Sequence, residues 1–321
     1  MEKIQKIFSE KYIINSDIDS IIRCLYSFYD ITNYFKNLNK NEIKNKPITK
    51  AFIRCLKTFT KKDMILYIDS IKALKKILCD KNENLIKPNL LLPFLIRKLF
   101  NEMEDNLVLD KKDNSNQINE EEMIINLGNN SLGQLNSYIS KKIMGVIKTA
   151  YKCEKCSVEN FSFKGYFNLT IDLENIVNPD IEQFIQNKNI IITKIEKYCS
   201  NCLTLTKQEK RKIYDIFPDC LIVSIKRGEN NSCKKPFKLK QNIEIKNSIG
   251  NIGKKYELIS FINRNCEFEN YISFIKFQFP NSKKWFKCEK ENVERWKPKE
   301  HTDMFDDPKG ELIMAFYKAK Q

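Results

Sequence analysis

Cys153, Cys156, Cys199 and Cys202 fall into two CxxC pairs, the spacing at which a tight backbone knuckle presents two thiolates to one metal ion. One such pair is a weak signal. Two in one chain predict a single tetrahedral zinc centre, one ion per chain, joining two strand pairs in the middle of the sequence. No fifth ligand or open position accompanies the four, so the chemistry expected of the zinc is structural rather than catalytic. Lys152, Lys155 and Lys197 flank the pairs and would offset the double negative charge of a four-thiolate centre. The other seven of the eleven cysteines, Cys24, Cys55, Cys79, Cys220, Cys233, Cys266 and Cys288, are scattered singly, mostly in apolar surroundings. There a free cysteine behaves as a small hydrophobe. An odd count in a long chain argues against a secreted disulfide framework and for a reducing compartment.

The elements that must position the zinc ligands read as follows. The segment between Ser157 and Tyr198 is longer than the loop of a compact zinc ribbon, so the chain must leave the site and return. Inside it Phe167, Leu169, Ile171 and Leu173 alternate with Asn168, Thr170 and Asp172, the period of a half-buried strand. Further strands are expected at 220–226, 256–263, 271–279 and 312–317. Toward the N-terminus, Ile18, Ile21, Ile22, Leu25, Phe28 and Tyr29 recur at three and four residues and predict one helix over 18–35, capped by Asp17 or Ser16. Helices are also expected over 69–78, with Ile71, Leu74, Ile77 and Leu78 on one face, and over 91–103. The stretch 104–133, with DKKDNSNQINEEE and LGNNSLG, is polar and turn-rich and reads as an exposed connector or insertion. The whole is α+β, helices first and then an antiparallel sheet system carrying the cysteine pairs.

A chain of 321 residues with 42% apolar residues can bury a sizeable core in one large domain or two ordinary ones. No apolar run is long enough to cross a bilayer, which predicts a soluble intracellular protein without a membrane partner. A formal charge of +15 raises the prior on a polyanionic partner such as RNA. Lysine is nevertheless spread along the whole chain, as in KNLNKNEIKNKPITK, so the charge reads as compositional, and direct RNA binding stays open. A basic zinc-ribbon nucleic-acid binder would in addition interleave aromatic and basic residues, a motif not found here.

The zinc pairs are followed at short range by YDIFPDCLIVSIKR, and with it the chain resembles the ubiquitin-specific protease family. In that family a zinc-bearing fingers region precedes a Pro-x-x-Leu strand ending in Lys-Arg, matched by Pro218, Leu221, Lys226 and Arg227. Tyr256 and Leu258 resemble its Tyr-x-Leu strand. The run ENYISFIKFQFPNSKKWFKCEKENV resembles its Gly-His-Tyr strand, tryptophan and following acidic turn, and ELIMAFYKAK its closing strand. INSDIDSIIRCLYSFYDITNYF resembles the nucleophile box and helix, with Ser20, Ile22, Leu25 and Asn33 to Phe35 in register. The resemblance covers nearly the entire chain. It implies a papain-like cysteine-protease fold of the ubiquitin-specific protease type: a helical thumb over about 1–105, zinc-bearing fingers over 134–215 and a β-rich palm over 216–321, in one domain.

A cysteine protease needs a thiolate nucleophile, a histidine to move the proton and a polar group to orient that histidine. Carried over residue by residue, the resemblance puts Ser16 at the nucleophile, Asn270 at the histidine, and Glu289 with Lys290 at the acidic turn. Ile14 and Asn15 fit the oxyanion-hole stretch poorly. The single histidine of the chain, His301, follows Trp285 on the wrong side of the strand that should carry it. Cys24 lies two turns into the helix, where a thiol without a base stays protonated. The resemblance therefore implies an inactive member kept for binding. The likeness is closest to the spliceosomal, tri-snRNP-associated branch, on Asn33 to Phe35, Leu221 to Arg227 and Lys284 to Phe286; the pseudo-protease domain of the poly(A)-nuclease scaffold is another inactive member to weigh. The implied role is a protein-interaction scaffold in pre-mRNA splicing, nuclear, with snRNP proteins and ubiquitin or a ubiquitin-like protein as partners. The alternative is a cytoplasmic or nuclear deubiquitinase whose active-site motifs have diverged.

Overall fold

The structure is a computed structural model that describes residues 16–59, 64–78, 87–103, 138–175, 180–190, 192–228, 237, 239–246, 253–265, 270–279, 282–289, 292–297 and 310–320. The chain divides into two units, one of residues 1–103 with 258–316, the other of residues 104–257 with 317–321. Two strands, Gly253–Asn265 and Gly310–Ala319, have residues in both.

The first unit begins with the predicted apolar stripe, but as two helices, α1 over Ser16–Tyr26 and α2 over Tyr29–Asn37. The break has a local cause. Ser27 turns its hydroxyl back onto the Cys24 carbonyl and its amide bonds the same oxygen, three residues back rather than four, while Ser27 Oγ also meets Ser260 Oγ at 2.9 Å. Such side-chain competition for backbone groups unwinds a helix. Helix α3 over Pro47–Phe59 was not anticipated from sequence, although its Ile48, Phe52, Ile53 and Leu56 face the core. Helix α4 runs from Met64 to Leu78, five residues earlier than expected, and buries Ile71, Leu74 and Leu78 while Ile77 turns outward, 42% exposed. Helix α5 over Pro88–Met103 carries Pro93 within it.

Helix α1 packs on an antiparallel sheet whose order is β11 (Asn292–Trp296), β10 (Ser282–Glu289), β9 (Tyr271–Phe279) and the Leu258–Asn265 part of β8 (Gly253–Asn265). Its attachment is polar as well as apolar. Asp19 Oδ1 accepts from Arg23 Nε at 2.8 Å and from the Tyr67 hydroxyl at 2.7 Å, all three residues being buried, so α1 and α4 share one compensated charge.

The second unit opens with the short helix α6 over Tyr138–Ile143 and contains a four-stranded antiparallel sheet in the order β2 (Glu159–Tyr166), β1 (Gly145–Cys153), β5 (Thr204–Ile216), β4 (Ile192–Cys199). Between β2 and β4 the chain leaves this sheet, as its length requires. It forms β3 over Leu169–Asp172 and α7 over Ile181–Ile190, the latter not foreseen, and returns. The strand expected over 167–173 is shorter because Leu173–Asn175 turns into a 3-10 helix. Strand β3 pairs with β6 (Cys220–Lys226) in parallel, the one departure from the expected all-antiparallel pairing among the registers described. Strand β7 (Asn242–Lys246) pairs with the opening of β8, and the end of β12 (Gly310–Ala319) bonds back through Ala319 N–H to the Asp219 carbonyl. Gly145 begins β1 where an added Cβ would sit 2.5 Å from both the Ile216 carbonyl and the Tyr166 ring. Only glycine fits there. No helix among the described residues is long and apolar enough to cross a membrane.

Candidate functional site

The zinc ligands are built by two hairpin ends of the four-stranded sheet. β1 enters the first knuckle at Cys153 and β2 leaves it; β4 enters the second at Cys199 and β5 leaves it. In each knuckle the residue after the second cysteine takes a left-handed backbone, Ser157 at φ 60° and Leu203 at φ 53°. That turn aims both thiols of a pair to the same side, at the cost of a conformation that non-glycine residues avoid. The signal for it was present in sequence only as the position following each CxxC.

The four sulfurs lie within 4.8 Å of one another, with Cys153 to Cys202 at 3.9 Å and Cys156 to Cys199 at 3.7 Å. A tetrahedron with metal–sulfur bonds of about 2.3 Å has edges of about 3.8 Å. A disulfide would need about 2.05 Å between sulfurs, so these are thiols spaced for a metal, and the four residues are free cysteines. Cys153 and Cys199 are buried and Cys156 and Cys202 half-buried.

The surroundings already favour thiolate at part of this site. The Thr206 hydroxyl, 3.4 Å from Cys153 Sγ, together with the backbone amides of the knuckle, holds the Cys153 thiol down at about 6. Cys156 is also lowered, chiefly by the Val158 amide, whereas Cys202 is pushed up to about 12 by sharing its proton with the neighbouring sulfurs, Cys156 first. The donor set is that of a structural zinc ion, which would replace these shared protons. Thr206 and Gln208 were missed from sequence. Gln208 Nε2 donates to the Lys197 carbonyl at 3.1 Å and so ties β5 to β4 beside the ligands. Lys197 does flank the site, with its ammonium 3.4 Å from the centroid of the Tyr151 ring.

The first unit gathers a second constellation. Ser16 opens α1, and its hydroxyl oxygen accepts the Tyr271 amide at 3.3 Å. The adjacent Asn270, 8% exposed, donates from Nδ2 to Glu289 Oε1 at 3.1 Å, and Glu289 Oε2 lies 3.5 Å from Lys287 Nζ. Three of the four positions picked out from sequence, Ser16, Asn270 and Glu289, thus share one corner between the start of α1, the start of β9 and the end of β10; Lys290 lies outside the described residues. The order alcohol, amide, carboxylate follows that of nucleophile, base and orienting acid. An amide has no basic nitrogen, however, and can take no proton from the alcohol. Asn270 Oδ1 is buried without a hydrogen-bond partner among the described residues.

Cys24 does not supplement this corner. It is fully buried two turns further along α1, its Sγ 3.7 Å from the Phe261 carbonyl, and burial pushes its thiol well up, the opposite of what a nucleophile needs. His301, with Cys79, Cys233, Cys266 and the stretch 104–133, lies outside the described residues.

The sequence profile described as ubiquitin carboxyl-terminal hydrolase matches residues 15–314. Among solved structures, the chain is similar to Ubp8 in the SAGA DUB module with Sgf11, Sus1 and Sgf73 bound to monoubiquitin, with a TM-score of 0.66, 14% identity, and coverage of 96% of this chain and 67% of that one. The module of the same four proteins bound to ubiquitin aldehyde gives a TM-score of 0.62 at 15% identity, covering 95% of this chain and 67% of that one. The yeast SAGA DUB module with a mutant Sgf73 gives 0.63 at 13% identity, covering 95% and 66%. At such identities the likeness is one of fold, over about two thirds of the length of those chains. No curated protein matches the chain significantly by sequence.

Proposed function

The chain belongs to the ubiquitin carboxyl-terminal hydrolase family, and from that premise we propose that it is a catalytically inactive member, a pseudo-deubiquitinase that serves as a protein-interaction scaffold. One observation carries the reading: the corner formed by Ser16, Asn270 and Glu289, in which an alcohol and an amide stand in the order of a protease's nucleophile and base. An alcohol with no base beside it remains protonated and unreactive toward an amide carbonyl. The family fold, with its fingers closed by a structural zinc ion, is then kept for the surfaces it displays. The similar structures, with monoubiquitin or ubiquitin aldehyde bound to the module, favour ubiquitin or a ubiquitin-like protein as one partner. The likeness of Asn33 to Phe35, Leu221 to Arg227 and Lys284 to Phe286 to the spliceosomal branch favours snRNP proteins, a nuclear location and a role in pre-mRNA splicing.

Treating the full chain with ubiquitin bearing a C-terminal electrophile tests the inactivity. No cysteine is expected to become labelled, and labelling of any one of them would establish a working deubiquitinase instead. Affinity purification from native cells tests the scaffold role: snRNP proteins should be recovered, and their absence would defeat the spliceosomal assignment.

A further inference from the structure

The lysines of the four-stranded sheet divide evenly between its two faces, but its carboxylates, Glu159, Glu196 and Glu209, all fall on one. Side chains alternate between the faces of a strand, so the strand registers decide which charges share a side. Tyr151 lies opposite Lys210, which lies opposite Thr193; Thr149 lies opposite Lys212 and Ser162; Ile147 lies opposite Lys164; and Lys197 lies opposite Thr206. These residues form one face. Its charged groups over Ile147–Cys153, Asn160–Lys164, Thr193–Lys197 and Thr204–Lys212 are Lys164, Lys197, Lys210 and Lys212, with no carboxylate among them. Lys164, Lys197 and Lys212 are exposed and Lys210 half-exposed, and the exposed hydroxyls of Ser162 and Thr193 lie among them.

The other face is of a different kind. There Lys152 pairs across the strands with Glu159 and Glu209, Lys194 with Glu209, and Lys207 with Glu196, so its charges are mixed. It also carries the sheet's exposed large apolar side chains, Phe161, Ile192, Tyr198 and Leu205, at 47%, 52%, 56% and 69% exposure. None of the exposed large apolar residues is on the lysine face.

We propose that the lysine face of this sheet binds single-stranded nucleic acid through its phosphodiester backbone. Four ammonium groups with no carboxylate among them, and the Ser162 hydroxyl between, match a line of phosphates, which take such contacts without reading sequence. A protein partner, even an acidic one, gains most of its affinity from apolar anchors at the centre of the contact, and this face offers none exposed. Of the half-exposed rings on this face, Tyr151 is covered by the Lys197 ammonium and Tyr214 packs edge-on against Tyr166, so base stacking adds little and neither sequence nor sugar is selected. This inference does not depend on the loss of catalysis.

Anisotropy of a labelled single-stranded RNA of mixed sequence, titrated with the full zinc-loaded chain at about 50 to 200 mM salt, tests it. Each lysine that neutralises a phosphate adds about −0.7 to the slope of log K against log salt, so four add about −3. The variant with Lys164→Gln, Lys197→Gln, Lys210→Gln and Lys212→Gln should lose at least about tenfold in affinity and flatten the slope by about that amount. The control with Lys152→Gln, Lys194→Gln, Lys207→Gln and Arg211→Gln removes the same charge from the other face and should stay within about threefold. DNA of the same sequence should bind within about threefold of the RNA. Zinc content and melting temperature are checked for both variants so that lost binding reports the surface. Equal loss in the two variants would overturn the proposal, since the charge would then act diffusely. So would displacement of the RNA by poly-glutamate at matched charge, which would point to an acidic protein.

Discussion

The two units treat their reactive groups in opposite ways. At the fingertips four cysteines keep both the geometry and the electronic preparation for a metal: sulfurs at tetrahedral separations and a Cys153 thiol drawn down to about 6. In the Ser16 corner an alcohol, an amide and a carboxylate lie near one another, and neither the alcohol nor the amide is of the chemical type a cysteine protease uses there. The buried cysteines of the same unit, Cys24, Cys55 and Cys288, are all pushed up by burial, Cys55 to about 12. The difference teaches that a hydrogen-bonded frame can be held together without a base in it when another pairing satisfies the same positions. Asparagine does this for the carboxylate of Glu289, holding it with one N–H as an imidazole would. A four-thiolate site accepts in place of a cysteine only another metal ligand such as histidine, because a residue that cannot bind leaves the metal underbound and the knuckles without a clasp.

The sharpest break of this comparison is at the metal. Cys153→Ser or Cys199→Ser should reduce zinc from about one ion per chain to less than about a tenth, since structural zinc contributes on the order of 10–16 kcal/mol to such folds. Elemental analysis reads this directly, and retention of zinc in either variant would dissolve the contrast. Ser16→Cys should leave the zinc content unchanged.

In the opposite corner, Ser16→Cys alone should stay unreactive toward a ubiquitin C-terminal electrophile, while Ser16→Cys with Asn270→His should react about 10² to 10⁴ times faster, the range a positioned general base supplies. Equal rates for the single and double variants would mean that the frame is not competent. The buried thiols give a smaller effect. Their folded-state values lie above the unfolded ones, so the fold keeps protons that the unfolded chain releases, and stability is full below about pH 9 and falls as pH rises past it. Each thiol contributes about 1.4 kcal/mol per pH unit, and a melting temperature flat from pH 8 to about 10.5 would contradict the assignment. Leu203→Gly is the mildest test. Leu203 is 73% exposed in a left-handed turn, so glycine removes strain of about 1 kcal/mol at little cost in burial, and zinc affinity should rise about fivefold in competition with a chelator.

What could be read from sequence divides along the same line. The zinc ligands were legible because two residues of spacing fix the chemistry of a knuckle before any tertiary contact forms. Ser16, Asn270 and Glu289 were nameable only through the family resemblance, since nothing local joins Ser16 to the start of β9, 255 positions further on. The break at Ser27 was hidden by an apolar stripe that continues through it, and helix α7 by lysines and asparagines that carry little periodicity, whereas α3 was legible in Ile48, Phe52, Cys55, Leu56 and Phe59, which recur at three and four residues. The sorting of the sheet's carboxylates onto one face, which leaves four lysines alone on the other, was beyond reach, because it depends on registers that a shift of one residue would invert.

Helix α1 has one further consequence, for the way the chain is made. Its core residues Ile18, Ile21, Ile22 and Leu25 are buried, and its partner strands lie at Phe261 and beyond; Cys24 Sγ meets the Phe261 carbonyl across 237 positions. At a synthesis rate of about 5–20 residues per second, the helix leaves the ribosome roughly ten to fifty seconds before the sheet that covers it exists. The zinc fingers, whose last ligand is Cys202, are complete well before then. During that interval the nascent chain carries a finished metal clasp at one end and, at the other, a helix whose sheet-facing side is still open, and it is this side that a chaperone would be needed to shield.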